Sequence, residues 1–203
     1  MSESPLNILA TVAIAIVVGR WWWSDFANAR KGVSAPNALA GAVPCARGFV
    51  MLAAAGGVAL TVLETLGEWA LGVSEEQKKI TVLFLAAMLA AAFLEELIFR
   101  GYIVIAGKGR RVLAGSVVGA SLVFALAHDF LWKYEAGDFS FQFTTKGWFS
   151  FGCVFVASLC FYVLRFHPRN AARSLLPCIA AHGARNLAVF FIKLAQGHVT
   201  GWF

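Results

Sequence analysis

Phe93-Leu94-Glu95-Glu96-Leu97-Ile98-Phe99-Arg100-Gly101 decides how this chain is read. Two adjacent glutamates and an arginine interrupt a run that otherwise has the character of a membrane span. Ile80 to Leu94 carries no charge, and Tyr102 to Ile105 is apolar again. An ionisable side chain near the centre of a membrane helix costs about 3 kcal/mol or more. Three of them together require a structural or a functional reason.

The surrounding composition fixes the solvent. The 203 residues are 60% hydrophobic and 14% charged, whereas a soluble domain carries about 25% charged residues. Several apolar runs approach the ~20 residues that cross a bilayer as a helix. The expectation is an all-α, polytopic transmembrane helix bundle forming one domain, residues 1–203, with a polar cavity inside the membrane. The net charge of +6 suits positively charged loops beside a membrane. No basic cluster is interleaved with aromatics, which argues against nucleic acid as a partner. Cys45, Cys153, Cys160 and Cys178 form no CxxC pair and read as small apolar residues rather than a disulfide or zinc framework. Met1 to Pro5 lacks a basic segment, so the N-terminus reads as a first span, anchored by Trp21-Trp22-Trp23 at the headgroups, rather than as a cleavable signal.

Six spans are expected, at about 6–23, 48–71, 80–106, 112–132, 147–166 and 174–196. Pro36 and Pro44 break the first connection, and Pro168 follows the fifth span. The alternation Phe139-Ser140-Phe141-Gln142-Phe143 fits either a short strand or an interfacial aromatic patch. Arginine and lysine concentrate after the first, third and fifth spans, which by the positive-inside rule puts those loops in the cytoplasm and both termini on the other side. The setting expected is a bacterial inner membrane.

The later spans hold further polar residues: His128, Asp129, His182, Arg185 and Asn186. Glu96 and Arg100 are four apart and can pair on one helix face. Glu95 points ~100° away, free to meet something else. At ~1.5 Å per residue, Glu95 lies about 18 Å from the Gly107 turn and His128 about 24 Å from Val112. His182 and Asn186 lie about 12 and 18 Å from Ser174 on the same scale. Three helices thus bring four polar side chains into one band. A carboxylate in apolar surroundings can serve as general base on water. A histidine beside it can orient that water, and a second histidine with an asparagine one turn on offers donors to a developing oxyanion. Taken singly, each has a plainer reading. The carboxylates and Arg100 can be a buried ion-pair knot, and His128 a packing hydrogen-bonder. Asp129 reads as a rim residue and Arg185 as structural. Glu64 and Glu68 read as solvated near a span end, and Gly56-Gly57 and Gly115/Gly119 as close helix packing.

The chain resembles the CAAX protease and bacteriocin-processing family, also called type II CAAX proteases or Abi proteins. Glu95-Glu96-Leu97-Ile98-Phe99-Arg100 matches the family's EExxxR element, with Gly101 completing the frequent FRG ending. Phe124 to His128 matches FxxxH, and His182 to Asn186 matches HxxxN. The resemblance covers about residues 80–191, the expected protease core. It implies an intramembrane glutamic endopeptidase that cuts a membrane-associated protein or peptide without a cofactor. Glu95 would be the base, His128 its assistant, His182 and Asn186 the oxyanion hole, and Glu96 and Arg100 the support. In length the chain is nearer the bacterial relatives that process peptides or sorting signals than the eukaryotic prenyl-protein proteases. Two other readings use the same residues. In one, Glu95, His128 and His182 ligate zinc, although no HExxH is present. In the other, a transporter or scaffold uses the buried carboxylate.

Overall fold

The computed structural model describes residues 4–33, 35–135 and 137–202. Most of the Met1 to Pro5 segment read above therefore lies outside the described residues. The described residues form six α-helices and one short hairpin, with shorter helical turns between them. The α-helices are α1 (Pro5–Arg30), α2 (Arg47–Ala70), α3 (Phe84–Glu95), α4 (Arg110–Leu126), α5 (Thr145–Phe166) and α6 (Leu176–Ala195). Strands β1 (Trp132–Glu135) and β2 (Asp138–Phe141) pair antiparallel between α4 and α5. A π-helical segment, Glu96–Ile103, continues α3 without a break. The helices α1, α2, α5 and α6 are each long and apolar enough to cross a bilayer.

Local chemistry sets the helix ends. Pro5 and Pro177 sit in the first turns of α1 and α6, where a missing N–H costs nothing. The Thr144 hydroxyl accepts from the Gly147 N–H at 2.9 Å and caps α5. Pro168 holds His167 in an extended conformation, so α5 ends at Phe166. Two boundaries depart from the sequence reading. The first helix runs on to Arg30, so the tryptophans lie inside it. Trp21 and Trp23 are exposed, but Trp22 is buried with Phe26, Ala42, Leu97 and Leu175, its indole N–H donating to the Ala40 carbonyl at 3.2 Å. The fourth span, expected to reach Trp132, ends at Leu126. His128 therefore lies in the turn that follows, not in a helix interior.

Helix α6 packs against α2, α3 and α5, while α1 lies on α3 and α4 on α5. The α2–α6 approach depends on Gly57, where a Cβ would collide with the Ala181 carbonyl. Gly56, Gly115 and Gly119 meet nothing within 4 Å, so the expected Gly115/Gly119 packing face is open instead.

Contacts between connections establish the alternation of the helices. On one side, the Ala40 N–H donates to the Tyr102 hydroxyl at 3.3 Å, Leu175 N–H to the Gly41 carbonyl at 3.0 Å, and Ser174 to the Val43 carbonyl at 2.6 Å. The loops after α1, the π segment and α5 thus meet there. On the other side, Ile80 bridges Val199, Lys193 donates to the Lys78 carbonyl at 2.7 Å, and Glu68 near the end of α2 binds Lys146 at the start of α5.

Candidate active site

The polar residues converge at the junction of α3 and the π segment. Glu96 and Arg100 are both fully buried, with Arg100 Nη1 3.1 Å from Glu96 Oε1. The same oxygen lies 2.8 Å from His182 Nδ1, reached from α6. A carboxylate oxygen with a cation already beside it acts as acceptor, so Nδ1 is the nitrogen that carries the proton. His182 Nε2 then faces Glu95 Oε2 at 3.8 Å. That gap is too long for a direct hydrogen bond and suits two groups sharing a third. Of the two glutamates, only Glu95 has an open side chain, 28% exposed.

Arg100 is held on all sides. Its Nη2 donates to Ser158 Oγ at 2.6 Å, and Ser158 donates onward to Ser121 Oγ at 3.0 Å. Its guanidinium carbon stands 4.5 Å from the Phe124 ring centroid, 5.2 Å from Phe161 and 5.0 Å from Tyr162. Aromatic faces stabilise a desolvated cation by about 2 kcal/mol or more. Phe161 also stacks on the His182 imidazole at 5.2 Å.

The π-helical turn explains why α5 matters here. An i→i+5 ladder leaves its last carbonyls without backbone donors. The Tyr162 hydroxyl donates to the Phe99 carbonyl at 2.7 Å, and Arg165 Nε to the Arg100 carbonyl at 3.2 Å. Two α5 side chains thus take up carbonyls at the π segment's end.

His128 folds back on the end of α4, its Nδ1 2.8 Å from the Phe124 carbonyl. A carbonyl only accepts, so Nδ1 holds the proton and Nε2 is left with a lone pair. The ring lies between Phe124, 4.9 Å away, and Phe130, stacked at 5.6 Å. Asn186 donates Nδ2 to the Met88 carbonyl at 2.9 Å, tying α6 to α3 with one amide hydrogen and keeping the other.

A second set of charges borders this cluster. Arg185 Nη2 lies 2.5 Å from Glu64 Oε2, both side chains largely buried. Glu68 binds Lys146 and Gln77. Glu64 and Glu68 are therefore paired within the bundle rather than solvated as the sequence reading had them.

Residues 77–188, more than half of the chain, match the model of the family described as type II CAAX prenyl endopeptidase Rce1-like. The chain belongs to that family. No curated protein and no solved structure matches it. This Rce1-like protein is a multi-pass integral membrane protease of the CAAX type.

Within the Rce1-like chain, the expected residues divide into groups. Glu95, Glu96, Arg100 and His182 form one connected cluster. Phe124 joins His128 to it, its ring 6.1 Å from that of His182, and Asn186 attaches through the backbone of α3. Among the described residues no group of three His, Cys, Asp or Glu side chains is placed to hold a metal ion. The open apolar groove of about 480 Å³ along Val82 to Leu89 and Trp202 contains none of the polar residues. Sequence reasoning missed Ser121, Ser158 and Tyr162, and misplaced Glu64. Ser150, Ser158, Tyr162 and Arg165 are all buried at helical spacing in α5. That polar stripe in an apolar span was the available signal.

Proposed function

We propose that this protease is a glutamic endopeptidase in which Glu95 activates water against a peptide bond of a membrane-anchored protein or peptide. The observation that carries the reading is the position of His182 between the two carboxylates. Its Nδ1–H is committed to Glu96 and Nε2 is turned to the partly open Glu95. Glu96, bound to Arg100, fixes the imidazole's tautomer and tilt, and so supports the site without reacting. A water held between Glu95 and His128 gives a proton to the Glu95 carboxylate as its oxygen attacks the scissile carbonyl carbon. The carbonyl π electrons move onto oxygen, and the remaining Asn186 amide hydrogen is a donor for that oxyanion. His182 joins it as the second donor when Nε2 carries a proton. Collapse re-forms the carbonyl and expels the amine, which takes its proton from Glu95. His128, with an Nε2 lone pair, assists by accepting a hydrogen bond from the attacking water.

The family description makes a peptide with a lipidated C-terminal cysteine motif the first substrate to offer. The test uses purified protein in vesicles with an internally quenched peptide carrying a farnesylated C-terminal motif. Wild type cleaves it with a strong chelator present, and Glu95→Gln, His128→Ala and Asn186→Ala do not. Undiminished cleavage by all three variants would refute the assignment.

A further inference from the structure

The hairpin between α4 and α5 has two unlike faces. Its register sets Trp132 opposite Phe141 and Tyr134 opposite Phe139. Side chains alternate along a strand, so these four aromatics share one face. Lys133 and Ser140, also paired, share the other. The aromatic face is open, with Tyr134 66%, Phe139 56% and Phe141 66% exposed. It continues as a stack, Trp132 to Phe139, Phe141, Phe143 and Trp148, with centroid distances of 5.0 to 5.8 Å. An exposed apolar patch of this kind marks an interaction surface, and an isolated two-stranded hairpin is marginal in water.

What covers the patch follows from where it lies. The hairpin leaves the end of α4 and leads into α5, a bilayer-crossing helix whose first turn carries the last ring of the stack, Trp148. The aromatic face is therefore continuous with a lipid-facing surface at the level of the headgroups, the depth that tryptophan and tyrosine favour. The hairpin is also tied to the turn holding His128. Trp132 Nε1 donates to the Leu126 carbonyl at 2.8 Å, and the Gln142 N–H to the Leu131 carbonyl at 2.8 Å. Phe130, between the strand and the histidine, stacks on the His128 ring and donates its N–H to the His128 carbonyl at 2.9 Å.

We propose that this hairpin is a lipid-docking arm. Its aromatic face sits in the phospholipid headgroup region beside the α4 and α5 ends, and that seating holds the following and preceding turns so that His128 keeps its working position. The docking stands on the hairpin's own geometry; the effect on catalysis rests on the role given to His128 above. Tyr134, Phe139 and Phe141 are thus positioning residues that act through His128.

The test uses the full chain in vesicles of phosphatidylcholine and phosphatidylglycerol. Nitroxide labels are placed by Phe139→Cys and Ser140→Cys in a background with the native cysteines replaced by alanine. Lipid docking predicts that the label at 139 is relaxed by oxygen more than by a water-soluble nickel chelate, with the reverse at 140. Equal exposure to the chelate at both positions overturns docking. So does shielding from both reagents, which would mean a protein occupant, and spin–spin coupling between labels would identify a second copy. For the catalytic arm, Tyr134→Ser, Phe139→Ser and Phe141→Ser are combined. Turnover of the farnesylated quenched peptide then falls by about tenfold or more, as expected for a displaced catalytic group, with KM nearly unchanged. Tyr134→Phe, Phe139→Trp and Phe141→Trp together retain it. A change in KM alone, or loss in the aromatic set as well, overturns the coupling to His128. If wild type leaves the peptide intact, the catalytic reading fails, and the label pattern still decides docking.

Discussion

Glu95 and Glu96 are neighbours in different surroundings. Glu96 is sealed from solvent and shared by Arg100 and His182, whereas Glu95 is partly open. Their glutamines should therefore behave differently. Glu95→Gln is expected to lower turnover by about 10² or more while leaving the melting temperature in detergent unchanged. Glu96→Gln removes the acidic partner of a buried guanidinium, which costs about 3–5 kcal/mol, and should lower both activity and melting temperature. The contrast was half legible in the sequence: four-residue spacing foretold the Glu96–Arg100 pair. The three-way junction with His182 was not, because it depends on how α6 docks, and spacing along one helix carries no information about that. Ser158→Ala tests the buried serine relay. It strips the Arg100 Nη2 of its 2.6 Å acceptor and should cost about 1–3 kcal/mol, read by thermal unfolding.

At the scale of elements, the π segment is the feature that periodicity concealed. Glu95 to Arg100 has no glycine or proline within it, and apolar residues surround the charges, so composition favours an uninterrupted α-helix. What permits the wider turn lies on α5, in Tyr162 and Arg165. Tyr162→Phe should then leave the Phe99 carbonyl without its donor and destabilise the protein by about 1–3 kcal/mol. The backbone N–H groups of 100–104 should lose hydrogen-exchange protection ahead of those of α6. A second link runs between α2 and α6. Glu64→Gln or Arg185→Gln alone leaves one buried charge unpaired and should lower the melting temperature. The reversal Glu64→Arg with Arg185→Glu should recover most of the loss, giving a coupling well above the ~1 kcal/mol limit of an exposed pair. The hairpin belongs with the π segment among features poorly announced by sequence. Its alternating phenylalanines signalled either a strand or an interfacial patch, and the register shows a strand with its aromatics on one exposed face.

At the scale of the molecule, the family match begins at residue 77, yet α2 precedes it and packs along α6. It supplies Glu64 to Arg185 and accommodates Ala181 through Gly57. A fragment restricted to residues 77–188 should therefore fail to fold stably in detergent and show no cleavage, measured by size-exclusion behaviour and turnover. The fold class and the alternation of the helices were legible because hydrophobic run length is a strong signal in lipid. The helix ends were less so: α1 overran its expected limit because an alanine and an aromatic can extend a helix as readily as they anchor one. Labelling checks the alternation. Cysteines at Lys78 and Lys146 should react from one side of sealed vesicles, and those at Lys108 and Arg169 from the other.

The π segment also has a bearing on how the gene can vary. A turn with an i→i+5 ladder holds nearly one residue more than an α-helical turn, so the segment is, in effect, a one-codon insertion kept in the frame of a helix. Deleting Ile98 would leave Arg100 three rather than four residues after Glu96 and remove the residue that the wide turn accommodates, which disturbs the set of contacts that brings Arg100 to Ser158. An aligned relative lacking one residue between Glu96 and Gly101 would place its arginine three residues from the glutamate, without the same wide turn. Length between the glutamate pair and the arginine is accordingly as restrictive a signature as the residues themselves.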